Sequence, residues 1–185
     1  MRIVSDIAAW IFGATMLGLA LFVTADVVCR KFIGMSFEGA DELGGYALAV
    51  GAGLAFVVAM VNRAHMRVDV IYARLSVRFQ AMLDLVALAT LLGMALLLML
   101  LGWQMLSDSL AYRSTAPTIW ATPLAWPQSA WLGTLVMFAL ICAIALAQGI
   151  RMALQSDWHR LNNGFGTSPE KDELEAELAD LQRRT

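Results

Sequence analysis

The sequence has few of the residues from which buried active sites are built. It contains only 2 cysteines and 2 histidines in 185 residues, and the cysteines form no CxxC pair. Charged residues make up 15% of the chain, and none lies near the middle of its long apolar runs. We therefore expect no thiol redox chemistry, no haem held by helix histidines and no proton coupling through a mid-membrane carboxylate.

The two cysteines lie at different places in their apolar runs. Cys29 falls at the end of the first run, and Cys142 falls near the middle of the last. A disulfide needs Cα atoms within about 7 Å of each other. We therefore expect no bridge between these cysteines, and both should behave as small buried hydrophobic residues.

Long hydrophobic runs dominate what the chain does contain. Hydrophobic residues make up 59% of it and the mean hydropathy is +0.67, whereas a soluble domain is about 45–50% apolar. Four runs reach the length of about 20 residues that spans a bilayer core. They predict an all-α integral membrane protein with helices at about 7–28, 41–62, 82–107 and 128–150. The run Ile7–Ala25 is too long for a signal-peptide core, so we expect a retained helix.

Small residues recur at every fourth position on two neighbouring faces of the second helix. They are Gly45, Ala47, Ala49, Gly51, Gly53, Ala55 and Ala59. Such spacing lets another helix approach closely in lipid. Two interpretations stay open: the faces form an interface with a partner protein, or they serve packing within the chain's own bundle.

The segment at about 64–79 predicts a short helix that lies in the membrane interface. Its arginines share one face and its apolar residues share the opposite face. The arginines that would anchor it are Arg63, Arg67, Arg74 and Arg78. We expect residues 1–151 to form the membrane domain and 152–185 to form a cytoplasmic tail with a short amphipathic helix.

The remaining connections carry acidic and aromatic side chains. Glu38 and Glu42 flank the start of the second helix, where Ser36 is the expected N-cap. We expect these carboxylates to be solvated. The alternatives are an ion pair with Arg30, Lys31 or Arg113, or contact with a basic partner protein. The loop Ser109–Gln128 contains Trp120, Trp126 and three prolines, which exclude a continuous helix. Its aromatic residues indicate a loop that rests on the membrane surface.

Several short motifs follow one another in order along the chain. They are Arg30-Lys31-Phe32, Glu38-Gly-Ala-Asp-Glu-Leu43, His65-Met-Arg-Val-Asp69, Arg113-Ser-Thr and Thr122-Pro-Leu-Ala-Trp-Pro-Gln128. No motif is specific alone. Their order, spacing and four-helix topology together resemble the small membrane subunit, or Q subunit, of tripartite ATP-independent periplasmic (TRAP) transporters. The resemblance covers about Trp10 to Ile150.

That resemblance implies a role in import across the bacterial inner membrane. Such systems import organic acids and related solutes with an ion gradient, usually sodium, and without ATP. It implies two partners: a large multi-span subunit, which would hold the substrate and sodium sites, and a periplasmic binding protein. The small subunit would support the large one and help the binding protein to dock. It would be no enzyme and would hold no cofactor. Candidate docking residues are Glu38, Glu42, Arg113, Trp120 and Trp126.

Two other classes of protein share the same residue pattern. One is a homo-oligomeric channel or small exporter, which would need polar pore-lining positions repeating along a helix. The leucine-rich helix centres argue against this class. The other is a non-catalytic structural or assembly subunit of a different membrane complex. This alternative differs from the transporter subunit only in the motifs, so it stays open.

The distribution of Lys and Arg predicts the orientation. The N-terminus, the segment after the second helix and the tail carry most of them, whereas the other two connections carry only Arg30, Lys31 and Arg113. Because positively charged short loops stay in the cytoplasm, both termini should be cytoplasmic. A reporter enzyme that folds only in the periplasm should therefore be inactive when fused after Thr185. Activity of that fusion would reverse the orientation.

Overall fold

The computed structural model of the chain describes residues 2–37, 39–62 and 75–155, except for the side chains at 2, 4 and 5. Within these ranges it is helical, with one isolated β-bridge in a loop. The helices are α1 (Arg2–Phe32), α2 (Ala40–Val61), α3 (Val77–Ala111) and α4 (Ala125–Leu154). All 4 are long and apolar enough to cross a membrane. The expected all-α fold with four such helices is confirmed.

The ends of the helices differ from the expected bounds, and both α1 and α3 begin 5 residues earlier and end 4 residues later than expected. Helix α3 begins at Val77, so Arg78 lies in its first turn. The other expected anchors, Arg63, Arg67 and Arg74, lie outside the described residues. So do most of the expected interfacial helix and the tail from residue 156 onward.

The chain divides into two compact units, residues 1–64 with 91–143 and residues 65–90 with 144–185. The core of the first unit combines side chains from all four helices. Its members are Ala8, Leu54, Val57, Ala95, Phe138, Ala139, Ile141 and Cys142. Phe56 and Phe138 add a tilted ring contact with centroids 5.5 Å apart. Cys29 and Cys142 are free thiols, and Cys142 is fully buried.

The second unit contains a buried carboxylate, which the expected start at about residue 82 had placed in the first turn of the helix. Asp84 is 1% exposed. Because α3 starts at Val77, Asp84 lies about two turns inside the helix. Ala81, Leu88 and Ala145 are buried in the same unit.

The small residues of α2 divide between internal packing and an outward face. Gly53 lies against Thr134 of α4, and Gly51 lies against Met16 and Phe12 of α1. Thr134 already donates its hydroxyl to the Trp131 carbonyl at 2.7 Å, so its contact with Gly53 is one of packing. Within the first unit, Gly51 on one face and Gly53 on the other are therefore explained by the close approach of neighbouring helices.

Other positions on α2 face away from the rest of the first unit. Gly45 has open space around its Cα, and Ala55 is exposed. On a helical wheel both fall on one exposed side with two further residues. The outward face of α2 is defined by Gly45, Leu48, Ala52 and Ala55. Phe56 lies at its edge, because its ring contacts Phe138.

Two glycine-to-alanine changes test this division. Gly53→Ala should lower the thermal stability of the detergent-solubilised protein, because the new methyl would overlap the Thr134 side chain. Overpacking of this kind costs about 1–3 kcal/mol, more than the roughly 1 kcal/mol that alanine gains in helix propensity. Gly45→Ala is the matched control and should leave stability unchanged or raised. Equal shifts for the two variants would contradict the proposed packing.

Candidate functional site

Polar side chains gather where α1 ends, α2 begins and the α3–α4 loop folds back. All of these segments belong to the first unit. We call this group the loop-end cluster: Asp26, Arg30, Ser36, Glu42, Tyr46, Thr118 and Thr122. Its hydrogen bonds connect each of the two loops to a helix end.

Asp26 holds the connection between α1 and α2. Its carboxylate accepts hydrogen bonds from Arg30 at 2.5 Å, from the Ser36 hydroxyl at 2.9 Å and from the Phe37 N–H at 2.7 Å. Asp26 is 1% exposed. A buried carboxylate is tolerated when donors surround it. The ring of Phe37 also contacts Phe22, with centroids 5.9 Å apart, so polar and apolar contacts fix the same point of the loop.

Glu42 holds the other loop. It lies in the first turn of α2, where the helix dipole favours a carboxylate. One carboxylate oxygen accepts a hydrogen bond from the Tyr46 hydroxyl at 2.9 Å, and the other accepts one from Thr118. The Thr122 side chain also interacts with this carboxylate. The expectation of a solvated carboxylate was wrong, because Glu42 is 8% exposed and its partners are hydroxyl groups.

The α3–α4 loop is a short hairpin. The Ala116 N–H donates to the Thr122 carbonyl at 2.9 Å, and the Leu124 N–H donates to the Ser114 carbonyl at 3.0 Å. Ala121 adopts a φ of 44°, a left-handed conformation that tightens the reversal. The loop therefore has internal structure of its own, which its prolines alone did not indicate.

The hairpin tip, residues 118–121, lies on the start of α2. The Trp120 ring occupies the place where a side chain on Gly39 would lie. Gly39 is the N-cap residue of α2, so this close approach requires glycine. Thr118 also donates a hydrogen bond to Glu42, so the tip is fixed to α2 at more than one point.

The five expected docking residues differ in how exposed their side chains are. Glu42 is buried, whereas Trp120 is 46% exposed and Trp126 is 74% exposed. Arg113 is exposed and has a φ of 49°. Glu38 lies outside the described residues.

The expected N-cap was wrong. Gly39 caps α2 without a side-chain hydrogen bond, whereas the Ser36 hydroxyl bonds to Asp26. Sequence reasoning also missed Asp26 as a site residue. Its spacing of four from Arg30 was a usable signal, because such pairs meet on a helix surface. Nothing local indicated Thr118, which is 76 positions away from Glu42.

Two openings accompany the cluster in the first unit. A polar crevice of about 400 Å³ is lined by Arg30, Ser36, Gly39, Ala40, Asp41, Glu42 and Thr118. An apolar groove of about 470 Å³ runs between α1 and α2, beside the start of α4. Among the residues that the structure describes, no group of three or more His, Cys, Asp or Glu could hold a metal ion.

These features define a multi-pass α-helical membrane protein whose loops are tied to its helix ends by buried carboxylates. A family described as "Tripartite ATP-independent periplasmic transporters, DctQ component" matches residues 19–152. The chain belongs to this family and is the small membrane component of a TRAP transporter. The resemblance seen in the sequence is therefore confirmed. No curated protein matches the sequence.

Removal of the Asp26 carboxylate should release the α1–α2 loop. In Asp26→Ala, the Ser36 and Phe37 donors lose their acceptor, and trypsin should cleave after the exposed Lys31 faster than in the unchanged protein. Asp6→Ala, which changes an exposed aspartate of α1, is the control. An unchanged cleavage rate in Asp26→Ala would show that the carboxylate does not hold the loop.

Proposed function

We propose that this chain is the scaffold partner of the large membrane subunit of a TRAP transporter and contributes to docking of its periplasmic binding protein. The complex would import organic acids or related solutes with a sodium gradient. Substrate and sodium would bind to the large subunit, and this chain would act as neither enzyme nor cofactor-binding protein. Both of its termini would lie on the cytoplasmic side of the bacterial inner membrane.

Family membership over residues 19–152 is the observation that carries this proposal. A large apolar surface in the first unit supports it. Only 6% of the apolar window of α1 is buried, compared with 28% for α2. Side chains such as Leu17 and Leu21, each 64% exposed, therefore face lipid or another protein.

The outward face of α2 is the best candidate for contact with the large subunit. It combines small residues at Gly45, Ala52 and Ala55 with a larger side chain at Leu48. Small residues allow helix backbones to approach closely in lipid, and larger neighbours add dispersion contacts. Gly51 and Gly53 of the small-residue pattern lie against α1 and α4, whereas this exposed face stays available to a partner.

Co-purification tests the proposal directly. The chain, tagged at its C-terminus and expressed with its genomic neighbours, should retain a stoichiometric multi-span protein in mild detergent. Ala55→Trp should reduce that recovery, because a large ring on the outward face of α2 keeps a partner helix away. Gly93→Trp on α3 is the matched control, since it adds the same ring at another exposed position with open space.

The remaining outcomes separate the alternatives. Purification of the chain alone as a defined homo-oligomer would overturn the subunit role and favour a channel or exporter. Recovery of a respiratory or other unrelated complex would favour the assembly subunit. Equal recovery with Ala55→Trp and Gly93→Trp would leave the subunit role intact but exclude the outward face of α2 as the interface.

A further inference from the structure

We propose that the hairpin tip is the surface of this chain that contacts the binding protein, and that Glu42 is a positioning residue that holds the tip and does not itself touch the partner. The inference rests on the proposed function and gives it a particular surface. It also replaces the expectation that Glu42 is a docking contact.

The tip presents an apolar side chain on a fixed backbone. Ile119 is 75% exposed although both of its flanking arms are hydrogen bonded. The Ala121 N–H donates to the Thr118 carbonyl at 3.0 Å and closes the turn around it. A side chain held in this way loses little conformational freedom on binding, which favours its use as an interface anchor.

Contacts with the start of α2 hold the hairpin tip in place. Glu42 receives a hydrogen bond from Thr118, next to Ile119, and the Thr122 side chain interacts with the same carboxylate on the other side of the tip. The Trp120 ring lies over Gly39 at the start of the same helix. Without the carboxylate, the Thr118 hydroxyl would lose its acceptor, and the tip would move relative to α2.

Charges around the tip favour a soluble protein over lipid as its partner. Thr118 lines the polar crevice together with Arg30 and Asp41, and both of these charged residues are exposed. Insertion of the tip into the apolar region of a membrane would bring these charges toward lipid, which is costly. An apolar centre with a polar rim is instead the usual composition of a protein interface.

Photo-crosslinking identifies the neighbour of the tip. A benzophenone amino acid replaces Ile119 in the complex with the large subunit, reconstituted in vesicles, and irradiation follows with and without substrate-loaded binding protein. We expect a crosslinked product that contains the binding protein when it is added, and no product of that size when it is left out. A benzophenone at Leu100, exposed within α3, is the control and should not react with it. Crosslinks from position 119 only to lipid or to the large subunit would overturn the inference.

Uptake kinetics test the positioning role. In Glu42→Gln, the half-saturating concentration of binding protein should rise by about tenfold, as when one central interface contact is lost, while the maximal rate is kept. Asp108→Asn removes the same charge from an exposed residue near the end of α3 that does not line the crevice, and it should change neither value. Equal effects of the two variants would indicate long-range electrostatics and contradict positioning.

A variant at the tip itself remains informative if Glu42→Gln fails to fold. Ile119→Ser changes an exposed side chain and should raise the half-saturating concentration by a similar factor at an unchanged maximal rate. Unchanged kinetics in Ile119→Ser would overturn the contact. Co-purification with the large subunit is measured on the same samples. If the chain without substitutions does not co-purify with the large subunit, the proposed function is refuted. If it does co-purify but the expected crosslink is absent, only this inference is refuted.

Discussion

The burial of carboxylates at helix ends is the constraint on which the first unit depends. A carboxylate removed from water is costly unless donors replace the lost hydration. Asp26 obtains two of its donors from the α1–α2 loop, and Glu42 obtains one from the hairpin between α3 and α4. Each loop is therefore held where its donors are needed.

Lateral packing in the first unit follows a different rule. Gly51 and Gly53 bring α2 close to α1 and α4, whereas the outward face of α2 and most of α1 remain uncovered. In a membrane such surfaces are stable against lipid, so no hydrophobic penalty forces them together. A chain of this kind keeps a well-fixed loop end and an open side, which is the arrangement expected of a subunit that joins a larger membrane complex.

The loop end and the open side suit different partners. The loop end carries charged residues around the rigid tip at Ile119, and an aqueous partner tolerates those charges. The side of α2 carries small and apolar residues, which suit another helix in lipid. Membership of the DctQ component family brings both kinds of partner into consideration, because these transporters combine membrane and periplasmic components.

The sequence alone determined the four helices, because runs of about 20 apolar residues leave the backbone little alternative in a membrane. It also determined the family, through motifs whose order matters more than any single residue. The sequence placed Glu42 at the start of α2 but did not predict that its carboxylate is buried. It also favoured Ser36 as the N-cap of α2, whereas Gly39 is the N-cap in the structure. The contact between Glu42 and Thr118 was decided only by the tertiary structure, because a hydrogen bond across 76 positions leaves no periodicity in the sequence. The division of the α2 glycines into internal and outward positions was likewise a tertiary result, because helical spacing defines a face but not the neighbour that covers it.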